Sequence, residues 1–275
     1  MPSYTELIDY RLSELIPDSN EILPQAMHYA LFGGGKRLRP QLVLSTAQVL
    51  GTQLKDALDP ACAIEMIHTY SLIHDDLPCM DNDDFRRGRP TVHRAFPEAI
   101  AVLAGDALLT EAFRVISIAE NLSDRQIIRL TNCLAKRIGK EGMVGGQAID
   151  ILSLGQTMPQ ELLIIMDQKK TGDLFSCSLE FGAIIANASP LIEKHLRQVG
   201  LHLGLAYQIR DDLEDSSISS IPQKTGAKPS IVGILGIEAA KKIMKQSFDA
   251  IQHHLSFLPE NADPINGLIK PYLNT

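Results

Sequence analysis

The chain is short of cysteine and has no apolar run long enough to cross a bilayer. Its four cysteines, Cys62, Cys79, Cys133 and Cys177, are scattered, with no CxxC pair. That spacing argues against a zinc knuckle or a disulfide scaffold and suits a reducing cytosol. No stretch of about 18 uncharged apolar residues occurs, so no membrane span is expected. The opening residues, MPSYTELIDYRLSEL, lack a basic region followed by an apolar core, so no secretory signal is expected and a cytoplasmic location is. Excess positive charge is missing too. A net charge of −7 disfavours nucleic acid as a partner, because a polyanion is held by neutralising its phosphates. Low-complexity tracts are absent. With 45 % hydrophobic and 21 % charged residues over 275 positions, the chain has ample material for a core and suits one large domain or two modest ones.

What is present is helical spacing nearly everywhere. ELIDYRLSELI puts Leu7, Tyr10 and Leu15 near one stripe, and ILPQAMHYALFGGG ends on three glycines able to supply a left-handed cap. RPQLVLSTAQVLG carries Pro40 in its first turn and Gly51 past its end. PACAIEMIHTYSLIHDD is apolar on almost every side and reads as a central buried helix. The stretches 99–119, 125–152, 161–188, 191–215 and 231–255 repeat the pattern. No segment alternates with β-branched enrichment, and nothing resembles an interdomain linker. The expected architecture is all-α, a single domain over 1–275 with roughly ten helices.

Five aspartates crowd one stretch, LIHDDLPCMDNDDFRRG, although like charges so close repel. One bland explanation is a solvated helix end. On a helix, positions seven apart differ by about 20° and positions four apart by about 40°, so His68, Ser71 and Asp75 share a face. Pro78 disfavours helix at Leu77, so Asp81 is expected to return toward Asp75 from a loop. A second acidic set lies in YQIRDDLED, where Gln208, Asp211 and Asp215 fall on one face. Two such sets, each at the end of an apolar helix and each beside arginine, point to hard cations. Magnesium takes few carboxylates, keeps waters and shares phosphate oxygens. Its presence would also let an acidic chain hold an anion, with Lys36, Arg37, Arg39, Arg86, Arg87, Lys169 and Lys170 completing the site. GGGKRLRP lacks the spacing of a Walker A loop but can present amides and cations to phosphate.

At these residues the chain resembles the trans-isoprenyl diphosphate synthases of the short-chain class, which includes bacterial farnesyl diphosphate synthases. GGGKRLRP, DDLPCMDNDDFRRGRPT, GMVGGQAID, KTG and YQIRDDLED occur in the family's order, over about Leu31 to Leu235. The resemblance implies an all-helical fold around a central cavity and a homodimer. It also implies head-to-tail prenyl transfer with two or three magnesium ions, isopentenyl diphosphate and an allylic diphosphate being the substrates. By the same resemblance Asp75, Asp81 and Asp211 are the magnesium ligands, with Asp76 beside the first two and Asp212 and Asp215 on metal-bound water. Lys36, Arg39, His68 and Arg87 match the isopentenyl diphosphate pocket. Arg86 and Lys170 match contacts to the allylic diphosphate, and Thr171 and Gln208 carry oxygens near the developing cation.

Product length is expected to depend on the cavity floor. Ser71 and Tyr70 stand four and five residues before Asp75, roughly 6 to 7.5 Å along the helix axis. An aromatic at Tyr70, with the Pro78–Cys79 insertion, resembles the farnesyl-type pattern and favours a C15 product; geranylgeranyl diphosphate synthesis is the alternative. SSISSIPQKTGAKPSIVGILG is shorter than the family's loop. Lys228 is read as replacing its later lysine and Lys224 its earlier one. The shortened loop keeps open a weakly active regulatory subunit of a heteromeric synthase. An HD-type phosphohydrolase would need a histidine array that this chain lacks. In a class I cyclase, RRG and GGGKRLRP would have no second diphosphate to hold.

Overall fold

The computed structural model describes residues 2–156, 158–218, 229–258 and 262–273, with the backbone alone described at 215–218. Its packing divides the chain into two compact units, residues 1–44 with 52–131 and residues 45–51 with 132–275. Among the described residues every element is helical except one two-residue hairpin. The all-α reading is correct.

In the first unit α1 (Tyr4–Leu15) opens with a capping box: the Glu6 amide donates to Ser3 Oγ at 3.2 Å, and the Ser3 amide donates to Glu6 Oε2 at 2.7 Å. There follow α2 (Ile22–Leu31), the start of α3 (Leu38–Val49) and α4 (Leu54–Asp75). Then come a hairpin of β1 (Phe85–Arg86) and β2 (Arg89–Pro90), α5 (Val92–Ala95), α6 (Glu98–Ser117) and the start of α7 (Asp124–Ile138). The buried helix α4 starts six residues earlier than its apolar run, so Pro60 sits inside it and is itself buried. Ile64, Met66 and Ile67 of α4 have no exposed surface, each burial being worth about 1.5–3 kcal/mol. That makes α4 a rigid post for the aspartates at its end, and it packs along α6.

The second unit holds the rest of α7, then α8 (Met143–Leu152), α9 (Gln160–Asp167), a π-helical turn (Gln168–Gly172), α10 (Asp173–Ile185) and α11 (Pro190–Ile218). It ends with α12 (Ile231–Leu235), α13 (Ile237–Leu255), α14 (Asp263–Ile269) and a 3₁₀ turn (Lys270–Tyr272). Helical spacing runs on across breaks that the backbone makes. The stretch 125–152 is two helices, interrupted where Gly142 adopts φ −116° and ψ −128°. Likewise 231–255 is interrupted at Gly236, φ +82°. Phe175, Phe181, Val199, Leu203 and Ile251 form its fully buried centre.

Arg137 of α7 is the main buried ion pair here. It donates from Nε and Nη2 to Glu180 at 2.8 and 3.0 Å and from Nη1 to Asp173 at 3.0 Å. Replacing it with alanine strands two carboxylates in a dry interior. Arg137→Ala is expected to cost about 3–5 kcal/mol in chemical denaturation, whereas an exposed pair such as Arg94–Asp84 contributes about 1 kcal/mol at most.

Between α11 and α13, His195 Nδ1 and His254 Nδ1 lie 2.9 Å apart, and His195 stacks on Phe257 at 3.9 Å. Burial, followed by the neighbouring His195, His202, His253 and Lys194, holds His254 below its ordinary 6.5. The unfolded chain takes up a proton there more readily, so stability is lost as pH falls from about 6.5 toward the lower native value. The melting temperature is therefore expected to drop on going from about pH 7.5 to about pH 5, and less so in His254→Gln.

Candidate active site

At the end of α4 the chain turns back on itself. The Asp81 amide donates to the Asp75 carbonyl at 2.9 Å, and the Met80 and Asn82 amides donate to the Leu77 carbonyl at 2.9 and 3.1 Å. Asn82 takes a left-handed φ of +52° to complete the turn. Pro78 thus ends the helix and the loop brings Asp81 to Asp75, as its position suggested. Both aspartates are half-buried. Asp76 differs from them: it is 3 % exposed and forks onto Arg86, with Nε at 2.9 Å from both oxygens and Nη2 at 2.6 Å. Burial pushes its carboxyl up, and the Arg86 guanidinium pulls it back.

The cations of the first unit separate by partner. Arg37 is a strut: buried, it donates to Glu65 at 2.7 Å, to Asp9 at 2.8 Å and to the Leu31 carbonyl at 2.6 Å. It has no part in an anion site, which corrects the sequence reading. Its neighbours fare differently. Lys36 is exposed, and Arg39 is half-buried with Nη1 3.4 Å from His68 Nε2. Burial, then Arg39, Arg87 and Arg86, hold His68 well below its ordinary 6.5. A neutral ring at pH 7 can accept from Arg39.

Arg87 owes its place to the hairpin. With Arg87 at φ +52° and Gly88 at φ +76°, the two-residue turn is of the left-handed kind that suits strand twist. An arginine pays strain for that conformation, and its Nη1 donates to the Gly34 carbonyl. A β-carbon on Gly35, itself at φ +135°, would stand 2.6 Å from the same Nη1. The glycine-rich loop and the RRG turn are therefore fitted to each other. Tyr70 is 6 % exposed, and burial together with Asp75 pushes its hydroxyl up to about 12. Ser71 Oγ donates to the His68 carbonyl at 2.8 Å. A recess in this unit is lined by Tyr29, Thr69, Asp76, Arg86, Arg87 and Arg89, among others, but not by Lys36, Arg39, His68, Tyr70 or Ser71.

In the second unit the π-helical turn presents Lys170 and Thr171; such turns recur at functional sites because they re-aim side chains within a helix. Lys170 Nζ is 2.5 Å from Asp150 Oδ2. Thr171 Oγ1 donates to Gln208 Oε1 at 3.4 Å, and Gln208 Nε2 donates to Asp212 Oδ1 at 3.2 Å. Thr171, Gln208 and the second aspartate motif thus form one chain of contacts across the π-helical turn and α11. The turn and α11 approach closely because Gly204 has no side chain; a β-carbon there would overlap Gly172. Asp211 is half-buried. Lys224 and Lys228 lie outside the described residues, as does the side chain of Asp215.

Two carboxylates escaped the sequence reading. Asp150 was visible only as the last letter of GMVGGQAID, and its role as partner of Lys170 is tertiary. Asp167 ends α9, and burial, then Asp212 and Asp150, push its carboxyl up to about 8. At neutral pH it is largely an O–H donor.

The polyprenyl synthetase model matches residues 20–231. The chain belongs to the polyprenyl synthetase family. It is 44 % identical over 265 residues to a farnesyl diphosphate synthase of Geobacillus stearothermophilus, covering 91 % of this chain and 86 % of that one. An FPP/GFPP synthase from Zymomonas mobilis, crystallised in the apo form, has a TM-score of 0.90 at 40 % identity, covering 98 % of this chain and 96 % of that one. A Helicobacter pylori geranyltransferase complexed with magnesium and isoprenyl diphosphate has a TM-score of 0.86 at 31 % identity, covering 98 % of each chain.

The polyprenyl synthetase motifs suit magnesium by donor chemistry. All the candidate ligands are hard oxygens, and the loop returns Asp81 to Asp75. Among the described residues no three His, Cys, Asp or Glu side chains are grouped so as to hold an ion by themselves; magnesium takes few carboxylates and shares phosphate oxygens. The fit of Gly35 to Arg87 is directly testable. Gly35→Ala displaces the guanidinium and strains the loop, so inorganic diphosphate is expected to bind about tenfold more weakly by calorimetry, with the helical content unchanged.

Proposed function

We propose that this polyprenyl synthetase is a farnesyl diphosphate synthase, joining isopentenyl diphosphate to dimethylallyl and then geranyl diphosphate. The observation that carries the reading is the intact aspartate loop, Asp81 folded back on Asp75, in a chain 44 % identical to a farnesyl diphosphate synthase over most of both lengths.

Asp75, Asp81 and Asp211 are the proposed ligands for two or three magnesium ions, whose charge, when bound, stabilises diphosphate as a leaving group. Lys36, Arg39, His68 and Arg87 would bind the isopentenyl diphosphate, and Arg86 and Lys170 the allylic one. The cations come pre-positioned, Arg86 by Asp76 and Lys170 by Asp150, so little reorganisation is needed as negative charge develops. In the reaction the allylic C1–O bond breaks with its electron pair leaving on diphosphate. The alkene carbon C4 of isopentenyl diphosphate then bonds to C1, and a proton lost from C2 passes to the released diphosphate. Thr171 and Gln208 supply neutral oxygens near the intermediate cation and offer no nucleophile strong enough to capture it. Tyr70 and Ser71 are the proposed floor that stops growth at C15.

The reading takes residues 1–275 as one catalytic domain that acts as a cytoplasmic homodimer. Among the described residues no helix is long and apolar enough to cross a membrane. Labelled isopentenyl diphosphate, geranyl diphosphate and magnesium are expected to yield a C15 diphosphate, lost on adding a chelator. Asp75→Ala and Asp211→Ala should each slow turnover about 100-fold or more with helicity retained. A C20 product would identify the geranylgeranyl alternative, and activity only with an added partner chain would identify a regulatory subunit. Near-normal turnover in either variant would remove that aspartate from the metal site.

A further inference from the structure

The floor residue Tyr70 does not stand alone. His74, one turn further along α4, meets it edge-on, with ring centroids 5.7 Å apart and planes at 80°. That geometry is favourable for two rings and holds both orientations. His74 is in turn tied to α6: its Nε2 is 3.1 Å from the Val102 carbonyl and 3.8 Å from Asp106 Oδ1.

The imidazole fits against α6 because residue 105 is glycine. A β-carbon there would overlap His74 Nε2, and the Cδ2 and Cε1 atoms as well. Gly105 lies in the middle of α6, a helix of 20 residues, and is buried. Glycine in a helix interior costs about 1 kcal/mol relative to alanine. Alanines stand at 101, 104 and 107 of the same helix, so the small residue at 105 is set apart by the ring it admits. The arrangement runs from Gly105 through His74 to Tyr70, entirely within the first unit.

We infer that His74, seated in the slot left by Gly105, is a positioning residue that sets product length by fixing the ring of Tyr70. This rests on the proposal that Tyr70 is the floor. With the slot filled or the imidazole gone, Tyr70 loses its edge-on contact with His74, the ring gains room to turn aside, and the growing chain extends past it.

The test is the product spectrum of the full chain with labelled isopentenyl diphosphate and geranyl diphosphate, measured for six proteins. They are the unaltered enzyme, Tyr70→Ala, His74→Ala, His74→Gln, Gly105→Ala and the double variant His74→Ala with Gly105→Ala. Tyr70→Ala is expected to lengthen the product. His74→Ala and Gly105→Ala should each raise the C20-to-C15 ratio about tenfold or more, a change of about 1.4 kcal/mol in relative barriers. His74→Gln keeps a donor for the Val102 carbonyl and is expected to restore part of the C15 preference. The double variant should match His74→Ala alone, because the added methyl then has no ring to displace. A C15 product from His74→Ala, with Tyr70→Ala lengthened, overturns the inference and leaves the floor intact; this holds even if the only other change is a lower melting temperature. An unchanged product from Tyr70→Ala overturns the floor itself and this inference with it. Should Gly105→Ala fail to fold, His74→Ala and His74→Gln decide the matter.

Discussion

Placing cations where an anion will bind, in a chain with a net charge of −7, is the constraint on which the candidate site depends. Every cation assigned to substrate that has a resolved partner is held from within its own unit. Arg86 lies on buried Asp76, Lys170 on Asp150, Arg39 beside a neutral His68, and Arg87 on the Gly34 carbonyl. Buried or half-buried pairs of this kind contribute little net stability, because desolvation offsets most of the attraction. Their value is geometric. A guanidinium already oriented by one carboxylate can accept a second anion without a further loss of side-chain entropy. Asp75 and Asp81, half-buried and joined by the returning loop, are the proposed ligands of a divalent ion.

The same chemistry can serve structure alone, and the distinction lies in burial and in what surrounds each pair. Arg37 and Arg137 are closed on every side by protein groups, Glu65, Asp9 and a carbonyl for the first, Glu180 and Asp173 for the second. Arg86 keeps about a third of its side chain in solvent. An ion pair that is fully enclosed joins helices; one with an open side can still receive a ligand.

Much of this was legible in the sequence. Apolar spacing located the helices, and the proline after the first aspartate pair implied the returning loop that the Asp81–Asp75 hydrogen bond closes. Thr171 and Gln208, assigned from separate motifs, are in contact. Other features were invisible for physical reasons. Lys36, Arg37 and Arg39 fall within four residues and look alike until Glu65, on another helix, claims Arg37. Helical periodicity persists through Gly142 and Gly236, so breaks set by backbone dihedrals leave no trace in the apolar pattern. The hairpin turn uses Arg-Gly where Asn-Gly is the usual signal. His74 and Gly105 are 31 positions apart, and their fit exists only once α4 and α6 pack.

The central proposal is that Asp75, Asp81 and Asp211 hold the divalent ions that bind diphosphate. Manganese is an oxygen-seeking substitute for magnesium and can be located by its anomalous X-ray scattering. Crystals grown with manganese and inorganic diphosphate are predicted to show manganese coordinated by these three carboxylates and by diphosphate oxygens. Manganese bound elsewhere, with diphosphate absent from all three aspartates, would contradict the account.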